Sequence, residues 1–467
     1  MSNLIRQRIN NKSKNFTSDP PPIIILIQSN SSSSASDDDI DHSKSNHSIP
    51  IFNPPNFTMK ELLGCIPAHC FERSAWKSSL YLIWDSFLSL TLIYCASHIN
   101  SVFNHSNKIL KNLNPNILAL FRFLAWSTYA YFSSLVWTGI WVIAHECGHQ
   151  AFSTSKILNS TIGWILHSLL LVPHFSWKIS HAHHHAANGH MTRDQVFIPK
   201  TRSQRGLPPL PINASKAERD GTLPASFYQK IDNSLEDAPI KNLFSLFLQQ
   251  LFGWPAYFLT NASGQPDYPS WTNHFNPNAI IFHPRHRSQV LISGLGVALA
   301  MTGLIFFAYK TSFGTLFRFY IVPYLWVNNW LALVTYLQHT DPQLPHYREG
   351  AFNFQRGVLC TIDRQIHGFM FHGIAETHMV HHLCSKIPHY HAWEATESLK
   401  AKLGPHYPQA DGNYWKNLWK SLTQCRFVED EGDILFYKNA KGQASRRIKN
   451  STTNGSDSGI NADNPLL

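Results

Sequence analysis

The chain has 467 residues, 27 histidines and a formal net charge of +10. Its seven cysteines include no C-x-x-C pair, which argues against a disulfide framework or a cysteine zinc site and indicates a reducing compartment. The positive charge suits nucleic acid or an anionic membrane surface, and the apolar stretches described below select the membrane and exclude a nucleic-acid partner.

Both ends of the chain are polar and lack a sustained apolar period. Residues 1–57 include a serine-rich stretch with three consecutive aspartates, and residues 439–467 are rich in Ser, Asn, Gly and Lys. Such segments bury too little apolar surface to form a core. We therefore predict a disordered N-terminal tail over 1–57, one large domain over 58–438, and a polar C-terminal tail over 439–467. The apolar run at 23–27 is too short for a signal peptide.

Four stretches of the central domain are apolar over about the 20 residues that cross a hydrocarbon core. They cover residues 79–98, 118–144, 289–309 and 316–337. Short connections join them into two hairpins, which places the N-terminus, the long loop 145–288 and the C-terminal region on one shared side. The predicted fold is an all-α integral membrane protein with four transmembrane helices in two hairpins and a helical cap on that side. Asp85 and Arg122 lie within two of the stretches, and we expect them to face protein or an interface.

Histidines are concentrated in three clusters. The first consists of His145 and His149, which lie at i and i+4, one helical turn apart, directly after the stretch 118–144. The other two clusters each place histidines at i, i+3 and i+4, and they consist of His181, His184 and His185, and of His378, His381 and His382. This spacing directs the rings to one helical face, where they can converge on a metal ion. All three clusters fall on the shared side. Their eight imidazoles exceed the four ligands of one tetrahedral zinc, so the sequence predicts two metal ions.

Single histidines outside the clusters are harder to interpret. His339 follows the end of the stretch 316–337 on the same side, and it is either a ninth ligand or an interfacial residue satisfied by the backbone. His183 points away from its neighbours in a helix, so we place it outside the site. We also predict that His372 is not a ligand. Imidazole suits iron, zinc and copper alike, so the spacing leaves the metal open.

In this order, the three clusters resemble the histidine boxes of membrane fatty-acyl desaturases. Four further segments resemble the delta-12 and omega-3 branch of that family: Ile66–Phe71, Val172–Lys178, Arg193–Pro199 and Tyr336–Thr340. The segment Arg426–Asp430 also resembles this branch and looks fungal. The resemblance covers about residues 58–438. Ala182 and His183 stand where arginines are often found in the second box, but neither is a ligand position.

The resemblance implies a di-iron centre that uses dioxygen and two electrons to convert oleoyl to linoleoyl chains, carried on a lipid or on coenzyme A. An aliphatic C–H bond has no acidic proton for a side-chain base, so a metal centre is chemically required. Cytochrome b5 and its reductase would be separate electron donors, because the chain has no His-Pro-Gly-Gly haem motif. The family also implies a multi-pass endoplasmic reticulum protein with its active site and both termini in the cytosol. Asp194, Glu376 and Asp363 are available to support the ligand rings.

Several alternatives remain open. An omega-3 or bifunctional desaturase, or an oleate hydroxylase, would use the same scaffold. His145-Glu146-x-x-His149 also matches a zinc metalloprotease motif, in which the glutamate is the general base, but the other two clusters would then have no role. A metal transporter would need polar residues along its spans, and 289–309 and 316–337 are largely apolar. The acyl carrier, the chain length and the oligomeric state are not determined by the sequence.

Overall fold

The computed structural model describes residues 49–448 except 105–106, 108, 111 and 211–238. Most of the two predicted tails lies outside the described residues. The described part is mostly helical, as predicted. Its helices are α1 (Met59–Gly64), α2 (Ala75–Ser97), α3 (Ile99–Val102), α4 (Pro115–His149), α5 (Lys156–Leu169), α6 (His174–Ala187), α7 (Pro239–Thr260), α8 (Arg287–Lys310), α9 (Phe313–Leu316), α10 (Val322–His339), α11 (Phe354–Val358), α12 (His378–Leu383), α13 (His389–Leu403) and α14 (Tyr414–Gln424). Short 3₁₀ or π turns lie at Ala68–Phe71, Ser203–Arg205, Pro284–His286, Phe317–Ile321 and Gly404–His406.

Short strand pairs fasten the loops around the helices. They are β1 (Ile51–Phe52) with β6 (Arg447–Ile448), in parallel, β2 (Pro345–Tyr347) with β5 (Ile434–Phe436), antiparallel, and β3 (Asp363–Arg364) with β4 (Gln409–Ala410), in parallel. The β1–β6 pair joins the inner ends of the two stretches that were predicted as tails. With two or three residues each, the strands leave the fold class helical.

By length and hydropathy, two helical segments of the described chain are able to cross a membrane. They are Ala75–Val102 and Pro284–Lys310, which contain the predicted stretches 79–98 and 289–309. Helices α5 and α6 meet the same criteria only as a pair, and they are bent by 106° at the break between them. Such a pair is either a broken span or a re-entrant segment. The described structure therefore has two or three candidate spans.

The other two predicted stretches, 118–144 and 316–337, are helical but do not meet these criteria on their own. They fall in α4 and in the run from α9 through α10, where Trp, Tyr, Ser, Thr and Asn lower the hydropathy. Some of these polar atoms have partners inside the protein. The hydroxyl of Tyr129 donates to the Phe319 carbonyl at 2.9 Å, and the indole of Trp330 donates to Ser134 at 3.0 Å. Pairing between the two helices lets them be polar and still buried.

The outer faces of α2 and α8 carry large exposed apolar side chains. Leu90 is 67% exposed and Ile305 is 66% exposed, and each lies within a candidate span. Contiguous apolar faces of this kind suit lipid and not water. Asp85, on the same α2, is buried and accepts a hydrogen bond from His372 Nε2 at 2.7 Å. This confirms the expectation that Asp85 faces protein.

Candidate metal centre

The first cluster lies in the last turn of helix α4, which ends at His149. Gln150 adopts a left-handed backbone, with φ of 64°, and its N–H turns back to the carbonyls of Glu146 and Cys147. His149 is thus the last residue of α4, and its ring and that of His145 project from the same face, with centroids 4.7 Å apart. The end of α4 faces α6 and α12, which carry the second and third clusters.

Five rings from these three helices form what we call the first histidine group: His145, His149, His181, His185 and His381. One ring nitrogen from each lies within 4.8 Å of the others. The Nε2 atoms of His145 and His181 are 3.0 Å apart, and those of His181 and His185 are 3.1 Å apart. His381 extends this chain, with its Nε2 atom 3.1 Å from that of His185. All three sequence clusters therefore contribute to one group.

The remaining rings form the second histidine group: His184, His339, His378 and His382. Nitrogens of His184, His339 and His382 lie within 4.8 Å of one another. His339 is central, because its Nε2 atom is 3.3 Å from that of His184 and 3.0 Å from that of His378. His339 is the last residue of α10, and the structure places it among the cluster histidines.

The nitrogen positions fit metal ligation. With metal–nitrogen bonds of about 2.1 Å, neighbouring ligands of one ion lie about 3.0 Å apart at right angles and about 3.4 Å apart in a tetrahedron. The observed Nε2 separations, 3.0–3.3 Å, match this range. Within the described residues, the buried Nε2 atoms of His149 and His382 have no hydrogen-bond partner. A buried imidazole nitrogen left without a partner costs about 1–3 kcal/mol, and a metal ion would remove that cost.

Burial also keeps the third-cluster rings in the form that binds metal. Desolvation, with a smaller contribution from His184, lowers the pKa of His381 to about 3. Desolvation, with repulsion from His185 next, holds the pKa of His382 well below its usual range. Both imidazoles are thus neutral at physiological pH, and a neutral imidazole has a lone pair for a metal ion.

The three carboxylates expected near the rings occupy different positions. Asp194 contacts a ring directly, because His184 Nδ1 donates to its Oδ1 atom at 2.7 Å. Its other oxygen accepts from the Gly189 N–H at 2.9 Å. Asp363 has no hydrogen bond to a described ligand ring and instead accepts from the Tyr407 hydroxyl and from the Met379 N–H, the latter at 3.0 Å at the start of α12. Glu376 accepts from the Ile366 N–H at 2.6 Å. Asp194 fixes a ring, whereas Asp363 and Glu376 fix backbone.

Glu146 has a structural partner that the sequence did not reveal. One of its carboxylate oxygens accepts from the His389 N–H and the other from His389 Nδ1, at 2.5 and 2.7 Å. Glu146 thereby ties the end of α4 to the first residue of α13. Because both oxygens are engaged there, Glu146 is not placed as the general base of a metalloprotease. Only the adjacency of Glu146 to His145 was visible in the sequence, and His389 is more than two hundred residues away.

Two tryptophan rings support the first histidine group. Trp177 stacks on His181 with centroids 4.5 Å apart and planes 23° apart, and Trp141 stacks on His145 at 5.3 Å and 25°. Trp177 lies four residues before His181, so this pair was detectable from helical spacing. Trp141 and Trp177 also line a largely apolar cavity of about 470 Å³. Histidines of both groups form part of its lining: His145, His181, His184, His339 and His378.

Together, the lipid-facing helices, the two histidine groups and the apolar cavity define a membrane-type protein with a histidine-rich metal site. Residues 121–412 match the fatty acid desaturase family. The chain is 52% identical to a Delta(12) fatty acid desaturase of Mortierella alpina over 387 residues, which are 82% of this chain and 91% of that protein. It is 51% identical to the enzyme of the same name from Mortierella isabellina, with the same coverage. It is 38% identical to an oleate hydroxylase of Claviceps purpurea, covering 86% of this chain and 85% of that one.

The chain therefore belongs to the fatty acid desaturase family and is an oxidoreductase. The family resemblance seen in the three clusters is confirmed. The identity to the two Delta(12) desaturases is higher than the identity to the hydroxylase.

Proposed function

We propose that this protein is a delta-12 fatty acyl desaturase, which converts oleoyl to linoleoyl chains with dioxygen and two electrons. The observation that carries the proposal is the opening of two histidine groups onto one apolar cavity. The 52% identity to the Mortierella alpina enzyme supports this choice of product.

In this proposal, each histidine group holds one iron ion. The first ion would be bound by His145, His149, His181, His185 and His381, and the second by His184, His339, His378 and His382. Bound iron would supply the oxidising power that an unactivated C–H bond requires. The chain's own residues hold the rings in place: Asp194 fixes the His184 ring, and Trp177 and Trp141 stack on rings of the first group.

The cavity is suited to an acyl chain because apolar side chains make up most of its wall. Among them are Val142, Leu331, Phe371 and Ile374. These side chains cannot hydrogen-bond to a polar ligand, so they favour a hydrocarbon segment and exclude water from the site. The substrate would present its double bond and the next methylenes to the histidine-lined end. The acyl carrier, lipid or coenzyme A, would remain outside.

We further propose four membrane spans in two hairpins, with the histidine groups and both termini on the cytosolic side of the endoplasmic reticulum membrane. α4 and α10 would complete the two hairpins with α2 and α8. Both helices end in a proposed ligand, His149 or His339, so this arrangement places their histidine ends on one side. A separate cytochrome b5 with its reductase would deliver electrons from the cytosol.

Expression in a yeast that makes oleate but no polyunsaturated lipid tests the proposed reaction. The parent chain should yield linoleate in total fatty acids analysed by gas chromatography with mass spectrometry, and a His381→Ala variant should yield none. The second candidate function is oleate hydroxylation, which the 38% identity to the Claviceps purpurea enzyme supports. A hydroxylated product would identify that function. An unchanged profile from well-expressed protein, with linoleate also supplied, would overturn the desaturase proposal.

A further inference from the structure

A second set of metal-ligand side chains lies apart from both histidine groups. His69 and Cys70 belong to the 3₁₀ turn Ala68–Phe71, directly before the first candidate span, and His391 and Glu394 lie on α13. One ligand atom from each of the four lies within 4.8 Å of the others. His69 Nε2 is 2.8 Å from Glu394 Oε2 and 3.7 Å from Cys70 Sγ.

Local structure explains the convergence. His391 and Glu394 are three residues apart on α13, so both side chains project from one helical face. His69 and Cys70 are consecutive, and the tight 3₁₀ turn lets both reach that face. Cys70 is fully buried, whereas His69 and Glu394 have about half of their side chains exposed, at 51% and 53%. The set is thus anchored on one buried thiol and open to solvent on its other side.

We propose that His69, Cys70, His391 and Glu394 bind one zinc ion. A thiolate, two imidazoles and a carboxylate are the donor types that zinc takes, and four ligands match its tetrahedral preference. With zinc–sulfur and zinc–nitrogen bonds of about 2.3 and 2.05 Å, adjacent sulfur and nitrogen ligands lie about 3.6 Å apart. The Cys70 Sγ to His69 Nε2 separation of 3.7 Å agrees with that value.

A simple ion pair accounts for only half of the set. The contact between His69 and Glu394 is half-exposed, and such pairs contribute little to stability. It does not explain why a buried thiol and a second imidazole converge on the same point. A lone cysteine does not make a zinc site. The absence of a C-x-x-C pair argues only against a zinc site built on paired cysteines. Here imidazole and carboxylate ligands supply the other three positions.

The site joins two parts of the chain that are more than three hundred residues apart. On one side is the segment that enters the first candidate span, and on the other is the helix that follows the third histidine cluster. A neighbouring contact spans the same junction, since the Ser74 N–H donates to the Tyr390 hydroxyl at 2.9 Å. A zinc ion here would stabilise the position of α13, and with it the His389 partner of Glu146. Its exposed ligands make the ion exchangeable with solution.

Metal analysis of the full-length protein in detergent tests the site without relying on activity. After equilibration with buffered free zinc, the parent should retain roughly one zinc ion per chain that a Glu394→Gln variant lacks, with iron content unchanged. A Glu397→Gln variant is the matched control, because Glu397 lies one turn further along α13 and its side chain is 71% exposed. It should retain the zinc.

Cobalt substitution distinguishes this site from the histidine groups, which offer no thiolate. Cobalt(II) bound at Cys70 should give a sulfur-to-metal charge-transfer absorption that a Cys70→Ser variant lacks and a Cys65→Ser control keeps. If Cys70→Ser does not fold, as judged by size-exclusion chromatography, loss of the same absorption in Glu394→Gln and His391→Ala carries the test. Zinc content that is the same in the parent and in Glu394→Gln, or absence of the absorption from the parent, would overturn the proposal.

Discussion

The two histidine groups differ in what holds their rings. In the second group, His184 is fixed by a buried carboxylate, since its Nδ1 atom donates to Asp194 at 2.7 Å. In the first group, none of the hydrogen bonds of the described rings goes to a carboxylate. His145 and His181 are instead stacked on tryptophans. A hydrogen bond fixes both the orientation and the tautomer of a ring, whereas stacking fixes only its plane. The two groups should therefore respond differently to the loss of a supporting residue.

Removing a ligand from either group should have the largest effect. We expect His184→Ala and His381→Ala to lower linoleate formation by more than about 100-fold, which is beyond the usual cost of losing an outer partner. Product analysis measures activity, and metal analysis measures iron. Each variant should lose iron mainly from its own group.

The matched control for these variants is His183→Ala. His183 lies between His181 and His184 in sequence, but its side chain is exposed and belongs to neither group. It should keep both iron and activity. Full activity of His184→Ala with normal iron would contradict the assignment of the second group.

Loss of the carboxylate support should have the next largest effect. Asp194→Asn removes the charged acceptor of His184 and should lower metal affinity or activity by about 10–100-fold. The deficit should be confined to iron of the second group, because none of the hydrogen bonds of Asp194 in the described structure goes to a ring of the first group. Asp267→Asn makes the same chemical change at an exposed aspartate and should have no effect. Equal iron content in the two variants would indicate that Asp194 does not support the metal.

The histidine clusters were predictable because helical spacing is written in the sequence. Positions i, i+3 and i+4 share a face in any helix, and the clusters were expected to meet on one side. The division into groups was not predictable. His184 and His185 are adjacent on α6, yet they belong to different groups, because successive residues on a helix point about 100° apart and each ring meets a different neighbour. That choice depends on where α10 and α12 pack.

For the apolar helices, hydropathy predicts some candidate spans and cannot decide on others. Hydropathy predicted spans at 79–98 and 289–309, and both lie in helices that are candidate spans and expose apolar faces. It cannot decide on 118–144 and 316–337, since polar residues such as Ser134 are paired between α4 and α10. Pairing of this kind is tertiary. The contact of Glu146 with His389 was missed for the same reason, because it joins residues that are far apart in the chain.

A smaller effect is expected from the stacking residues of the first group. Trp177→Leu removes the ring that lies on His181 and keeps an apolar side chain. Aromatic contacts contribute about 0.5–1.5 kcal/mol, so activity should fall by up to about tenfold. The loss of iron should come from the first group, in contrast to Asp194→Asn. Trp271→Leu, at a tryptophan that is 78% exposed, is the control. A loss as large as that of a ligand variant would mean that Trp177 does more than support the ring.

The smallest effect on activity is expected from Glu146→Gln, although Glu146 lies between two ligands of the first group in sequence. Its carboxylate faces His389 and not the metal site, so the variant should keep substantial desaturase activity. The amide retains one acceptor oxygen, and the weakened contact should cost about 1–3 kcal/mol in the free energy of unfolding, measured by thermal unfolding in detergent. Glu397→Gln, at an exposed glutamate of α13, should show neither change. If Glu146→Gln abolished activity while iron content and stability stayed normal, Glu146 would take part in the chemistry, and the metalloprotease motif would have to be reconsidered.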